Sequence, residues 1–248
     1  MKDSENNTLN YHVSVDCAIF GFDFSKLNVI LMERNFTYNG IEYNDLKLPG
    51  DLVRKDEDLD TAASRVLKEL TGLEDIYLKQ FAAIGTPNRL KRFERDMEWL
   101  RRIGHPEEVV VTVAYYSLIN IDQDRIDKFG LPPNTRWHPV ADIKELSFDH
   151  MDILNDALIT LRNELRSNPI GFELLPPKFT LSQLQKLYEV ILGTELDKRN
   201  FRKKVSNMPY VVPISEKEKG VSHKPARYYI FSKKVYEKTR KNSFDFSV

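Results

Sequence analysis

Two stretches of this 248-residue chain carry side chains whose types and spacing could do chemistry. The first, LPGDLVRKDEDLDTAASRVLKELTGL, runs from Leu48 to Leu73. It gathers Asp51, Arg54, Glu57, Arg65 and Glu69 around a segment whose apolar residues Leu59, Ala62, Ala63, Val66, Leu67 and Leu70 recur at helical spacing. Positions i, i+3 and i+4 of a helix share one face. Carboxylates so placed can hold Mg²⁺, which neutralises a diphosphate and activates water. Here that face offers Val66, Glu69 and Leu70. One carboxylate between two aliphatic chains is a poor cation cage. The acids and arginines are also spaced to pair with each other, Glu57 with Arg65 and Arg65 with Glu69. An amphipathic helix with Val and Leu in the core, and no catalysis, is the simplest reading.

The second stretch is DKRNFRKKVSNM, from Asp197 to Met208. Phe201 and Val205 form an i, i+4 apolar pair that Met208 joins, and Asp197 stands where an N-cap would. This leaves Lys198, Arg199, Asn200, Arg202, Lys203 and Lys204 facing outward. Arginine can bond guanine, and asparagine adenine, in bidentate fashion in the major groove, whereas lysine suits phosphate. Arg199, Asn200 and Arg202 are therefore the candidate base readers.

The elements that position these stretches can be read in order. Strands are expected at 11–22, Asn28–Arg34 and Ile41–Leu48, with a turn at Asp23–Lys26. Pro49-Gly50 breaks the third strand, a loop follows, and a helix runs from Asp58 to Leu70 with Gly72 as its C-cap. Ile76–Ile84 reads as a strand. In 87–105, Leu90, Phe93, Met97, Leu100 and Ile103 follow helical spacing between Lys91, Arg92, Arg95, Arg101 and Arg102. That segment is a lid or partner-binding helix or, more simply, a solvated basic face with an apolar side on the core. Glu107–Ile121 is long and almost continuously apolar, as a central strand would be. Asp124–Phe129 reads as a short helix or turn, Thr135–Val140 as an edge strand, and Asp149–Leu165 as a helix that His150 caps or packs. Pro and Gly then cluster at 168–178, which reads as a linker. Beyond it Thr180 and Gln183 form a capping-box pattern on a helix over Leu181–Leu192, closed by Gly193. The basic helix follows, then strands Tyr210–Ile214 and Ala226–Phe231 around a charged loop. Helix, tight turn, basic helix and hairpin in that order make a winged helix, whose wing adds Lys217, Lys219, His223, Lys224 and Arg227 toward the same polyanion. The expected domains are 1–167, an α+β mixed-sheet domain, and 179–248, the winged helix.

Composition bounds the rest. Apolar residues make up 41% and charged residues 30%, as in a soluble globular protein. No apolar run approaches a membrane span, and the polar start MKDSENNTLNYH lacks a signal-peptide core. Cys17 is the one cysteine, which excludes an intrachain disulfide and a cysteine metal cluster. Cytoplasmic residence is the default, and no cofactor or metal is expected. The net charge of zero hides an asymmetry: residues 172–248 carry 16 Lys and Arg against 8 Asp and Glu. A basic C-terminal module fits a polyanionic partner.

The Leu48–Leu73 stretch resembles the Nudix box. In that frame Asp51 stands at the opening Gly, Glu57 at the first Glu, Arg65 at the Arg, Val66 at the following Glu, Glu69 and Leu70 at the Glu pair, and Gly72-Leu73 at the end. Val66 and Leu70 thus replace two carboxylates that hold Mg²⁺ in the family. A Nudix-like domain followed by a winged helix resembles the Nudix-related transcriptional regulators. The run NPIGFELLPPKFTLSQLQKLYEVILGTELDKRNFRKKV, with SRVLKELTGLEDIYLKQ, VAYYSLINI and FDH (Phe148–His150), is similar to their sugar-responsive branch, which includes arabinose-utilisation repressors. Asp51 stands where a second Gly is usual, and the Leu90–His105 insert is longer than its counterpart. The resemblance implies an α/β/α Nudix-like sandwich that senses an effector, a homodimer on a double-stranded DNA operator, and repression of a sugar-utilisation operon. In such a fold the effector pocket would draw on Asp16, Lys47, Asp51, Arg54, Glu57, Arg65 and Glu69. A pentose or other sugar is the expected effector, with ADP-ribose or a similar nucleotide as another. An active hydrolase of ADP-ribose is the alternative; it would need Glu57 and Glu69 with carboxylates borrowed from Glu107 or Glu108.

Overall fold

The structure, a computed structural model, describes residues 9–102, 110–121, 130–220, 222 and 224–239. The described residues divide into two compact units. One holds those within 1–20, 28–117 and 124–157, the other those within 21–27, 118–123 and 158–248.

The first unit is built on seven described strands: β1 (Leu9–Phe22), β2 (Leu27–Tyr38), β3 (Ile41–Lys47), β4 (Gly50–Arg54), β5 (Lys79–Ile84), β6 (Val111–Asn120) and β7 (Thr135–Pro139). The sheet runs β3-β2-β1-β6-β5, with β4 added to β1 and β7 to β2. Asn39 and Gly40, both at positive φ (49° and 76°), turn β2 back into β3, the backbone that a two-residue hairpin needs. β6 lies inside the sheet, and six successive residues of it are buried, which accounts for its apolar run. β4 corrects the expectation of a loop after Pro49: Gly50–Arg54 pairs antiparallel with β1 and sets Asp16 opposite Gly50.

Helix α1 (Leu59–Thr71) follows, and packs on β4. Asp58 caps it by accepting the Thr61 N–H at 2.8 Å, and Gly72 ends it in the left-handed region (φ 72°). Ala62, Ala63, Val66 and Leu67 form its buried face. The segment read as one helix over 87–105 is shorter: a 3-10 turn at Arg89–Lys91, then α2 (Glu94–Arg102), with Ile103 and His105 outside the described residues. Asp124–Phe129, Glu107 and Glu108 also lie outside them.

Helix α3 (His150–Ser167) begins in the first unit and ends in the second. Residues 168–178, expected as a linker, carry packed structure. Ile170–Leu174 form a 3-10 turn, and Phe172, Leu174 and Leu175 are buried. The two-residue strand β8 (Phe179–Thr180) and the helices α4 (Leu181–Leu192) and α5 (Lys198–Ser206) come next, then β9 (Val211–Lys217), β10 (Arg227–Phe231) and α6 (Lys233–Thr239). The capping box is present: Thr180 Oγ1 accepts from Gln183 N and Gln183 Oε1 from Thr180 N. Gly193 closes α4 at φ 70°, and Asp197 caps α5 through the Asn200 N–H. Gln185 Nε2 donates to Leu196 O while Glu189 accepts the Leu196 N–H, which fixes the turn between the two helices. The three-stranded sheet β8-β10-β9 completes the winged helix. Phe172 stacks on Phe231, with Tyr210 edge-on to both and Tyr236 edge-on to Tyr210. No described helix is long and apolar enough to cross a membrane.

Candidate functional site

The first unit carries an open cavity of about 490 Å³. Register places its polar wall. Lys47 stands opposite Met32 on β2, and Asp16 opposite Gly50. A Cβ at Gly50 would come within 1.9 Å of Asp16 Oδ1, so only glycine allows this approach. Asp16 is buried and accepts a hydrogen bond from Thr112 Oγ1, with His150 Nε2 at 3.5 Å from its other oxygen. His150 Nδ1 accepts the Leu48 N–H at 3.0 Å, so its proton sits on Nε2 facing Asp16. Burial, against the smaller pull of Asp16, lowers the His150 pKa to about 4. His150 is therefore a neutral hydrogen-bonding wall residue, more than a simple helix cap.

Arg34 makes a second wall. Its Nε and Nη2 reach Asp45 at 2.7 and 2.5 Å, and Nη2 also meets Asp96, which is fully buried. Its guanidinium carbon lies 4.7, 5.2 and 4.9 Å from the ring centres of Phe36, Trp99 and Phe148. Phe148 is held at φ 57°, a strained conformation for a bulky residue, and its N–H donates to Asp96 Oδ2 at 2.8 Å. Arg89, also on the cavity, makes a bidentate pair with Asp149 at 2.8 and 2.9 Å. Leu90, Trp99 and Leu100 bring the apolar side of the 89–102 segment to the cavity wall, whereas the simpler expectation gave that side to the core alone.

Of the seven expected effector residues, Asp16, Lys47 and Asp51 line this cavity. Arg54, Glu57, Arg65 and Glu69 do not; they form an ion-pair cluster beside it. Arg65 donates to both oxygens of Glu57, to Asp51 Oδ2 and Glu69 Oε2, and to Leu52 O. Arg54 donates to both oxygens of Glu69. The hydrogen bonds from Arg65 hold the Glu57 carboxyl below its ordinary range. The Glu57–Arg65 and Arg65–Glu69 pairs that the spacing suggests are present, and Arg54 adds a pair with Glu69 that it does not suggest. Arg34, Arg89, Trp99, Phe148 and His150 were missing from the expected pocket. Their contacts join segments 60 or so residues apart, and no local pattern marks them.

In the second unit, Phe201 and Val205 are buried, while Lys198, Arg199, Asn200, Arg202 and Lys203 are exposed and Lys204 is half-buried. On the wing, Lys217 and Arg227 are direct cross-strand partners. Like charges so placed repel unless an anion lies over them. The wing acids are tied up, Glu216 with Lys178 and Glu218 with the Ala226 N–H. Lys219 and Lys224 are exposed near the wing tip, and His223 lies outside the described residues. This surface can neutralise phosphates and present Arg and Asn to base edges.

A family model, the NrtR DNA-binding winged helix domain, matches residues 171–231. The ADPR responsive transcriptional repressor NtrR of Acinetobacter baylyi is 32% identical over 231 residues, 91% of this chain and 84% of that protein. The crystal structure of Shewanella oneidensis NrtR complexed with a 27mer DNA superposes with a TM-score of 0.69 at 24% identity, over 95% of this chain and 99% of that one. A MutT/nudix family protein from Enterococcus faecalis gives a TM-score of 0.63 at 19% identity, over 89% and 86%. The two structures carry the fold: a Nudix-like mixed-sheet domain with a winged helix. Nothing in these matches supports the sugar-responsive branch that the sequence resembled; the curated relative answers to ADPR.

Proposed function

Because this chain belongs to the NrtR family of regulators, in which a Nudix domain is joined to a DNA-binding winged helix, we propose that it is an ADP-ribose-responsive transcriptional repressor. The observation that carries the reading is the 32% identity over 91% of the chain to a repressor named for its response to ADPR. The cavity is compatible with it. About 490 Å³ falls within the range of small-molecule sites. One wall is aromatic, Trp99 and Phe148, and suits a base; another is cationic, Lys47 with Arg34 and Arg89, and suits a diphosphate. The Nudix-like domain binds its ligand without cleaving it, since Val66 is core and Glu69 is held by two arginines.

The winged helix reads operator DNA through α5 and neutralises phosphate through the wing, and a homodimer matches the symmetry of a pseudo-palindromic operator. Such a repressor works where the DNA is, in the cytoplasm. Linkage makes the coupling reciprocal: if ADP-ribose weakens DNA binding, DNA weakens ADP-ribose binding by the same factor.

The test is fluorescence anisotropy of the full chain on DNA from upstream of its own gene, titrated with ADP-ribose and separately with pentoses. DNA binding that ADP-ribose alone modulates is the expected result. No binding at low salt would sink the repressor, and indifference to ADP-ribose would sink the effector. Mg²⁺-dependent turnover of ADP-ribose would replace sensing by hydrolysis.

A further inference from the structure

We infer that the cavity takes a nucleotide diphosphate without any divalent cation, and that the Lys47 ammonium supplies the charge a metal would bring. The inference rests on the effector reading above and concerns how that ligand is held.

The Nudix fold implies Mg²⁺ on the carboxylates of α1 and its preceding loop. The residues present do not fit such an ion. Val66 is fully buried in the core, and Leu70 offers the cavity only methyl groups. The acids that remain are already bonded. Both oxygens of Glu57 accept from Arg65, both oxygens of Glu69 from Arg54, and Asp51 accepts from Arg65 and from the Leu52 N–H. Two guanidiniums thus sit among three carboxylates, where a cation would have to displace them. Among the described residues no group of three or more His, Cys, Asp or Glu is placed to hold an ion.

A diphosphate brings two negative charges, and removing them from water without compensation is costly. The cations on the cavity wall are Arg34, Lys47 and Arg89. The charge of Arg34 is matched by Asp45 and Asp96, although its Nη1 has no hydrogen-bond partner among the described residues, and that of Arg89 is matched by Asp149. Lys47 differs from both. Its Nζ donates to a neutral acceptor, Gly50 O, at 3.2 Å, and no ion pair engages it among the described residues. An ammonium has three N–H donors, so this bond leaves two for phosphate oxygens. The backbone beside it is rigidly placed: the Leu48 N–H is fixed on His150, and Pro49 O accepts the Cys17 N–H at 2.8 Å. A compact, flexible-stemmed point charge at a fixed position suits phosphate. Burial lowers the Lys47 pKa, against the pull of Asp16 and Asp51, so a bound anion would also hold its proton in place.

Isothermal titration of the full chain with ADP-ribose, in EDTA and in excess MgCl₂, tests the inference. The same affinity in both buffers is expected. Lys47→Gln should weaken binding in EDTA by about 10- to 100-fold, as loss of a charge-assisted hydrogen bond does, with its far-UV circular dichroism unchanged. Lys47→Arg should recover part of the loss. Binding that appears only with Mg²⁺ would overturn the inference and leave the effector reading intact. A folded Lys47→Gln that binds as tightly as the wild type would also overturn it. Binding in neither buffer would remove the effector reading, and the inference with it.

Discussion

Asp16 and Gly50 face each other across the β1–β4 pairing, so closely that a Cβ at Gly50 would stand 1.9 Å from Asp16 Oδ1 and 2.9 Å from Val15 O. Asp16 cannot simply swing away, because it is buried, Thr112 Oγ1 donates to one of its oxygens and His150 Nε2 lies 3.5 Å from the other. Gly50→Ala must therefore shift β4 or break the Asp16 contacts. Overpacking of this kind costs about 1–3 kcal/mol, to be read as a lower urea midpoint. The same variant should bind ADP-ribose more weakly, since Gly50 O also anchors Lys47.

Arg34 and Arg102 give a contrast between buried and exposed ion pairs. Asp96 is 0% exposed, and Arg34→Met would leave it without its charge partner. Breaking a buried pair from one side costs about 3–5 kcal/mol. Arg102 pairs with Glu98 on the outside of α2, with side chains 48% and 28% exposed. Arg102→Ala should change stability by no more than about 1 kcal/mol. Urea unfolding of the two variants checks the ranking; equal losses would mean that the Arg34 network carries no special weight.

The difference between what could and could not be read beforehand follows from sequence separation. Asp58, Gly72, Thr180, Gln183, Gly193 and Asp197 act within one turn of their own helices, so α1, α4 and α5 were legible from local chemistry. The Arg65–Glu69 pair was legible for the same reason. β4 was not: its five residues, GDLVR, show no alternation, and its partner β1 lies far back in the chain. The strand β8 is two residues long, and α6, with three Lys among its seven residues, is too short for a periodic stripe. The cavity was the least legible part. Arg34 looks like an ordinary strand residue until Asp96 and Phe148, from two distant segments, close around it. The proposed effector rests on kinship: wall chemistry of this kind accommodates several hydroxylated anions.

Lys217 and Arg227 oppose each other across the wing, so stability and DNA binding should move in opposite directions there. Lys217→Thr should stabilise the free protein by about 0.2–1 kcal/mol, measured by urea unfolding. It should weaken binding to all DNA sequences alike and reduce the salt-dependence slope by about one. Arg199→Ala and Arg202→Ala, on the exposed face of α5, should instead relax sequence preference. Anisotropy titrations on operator and scrambled DNA at several salt concentrations separate the two behaviours. A Lys217 variant that loses specificity without a change of slope would contradict the assignment.

His150 should make the protein sensitive to mild acid. In the unfolded chain the imidazole takes up a proton near pH 6.5, while in the folded chain burial delays this to about pH 4. Between those values the unfolded state binds the extra proton, so the stabilising contribution is complete above about pH 6.5 and is lost as the pH falls toward 4. By pH 5 the loss from this group amounts to about 2 kcal/mol. Other carboxylates titrate in the same range, so the contribution is isolated by difference. His150→Asn keeps an acceptor for the Leu48 N–H but removes the titration. The gap between wild type and variant should narrow steadily from pH 7 to pH 5 in urea unfolding. A gap that stays constant over that interval would mean that the His150 pKa is the same in the folded and unfolded chains, and a gap that widens toward pH 5 would mean that the folded protein already carries the proton, paired with Asp16, so that the cavity wall is charged where the geometry makes it neutral.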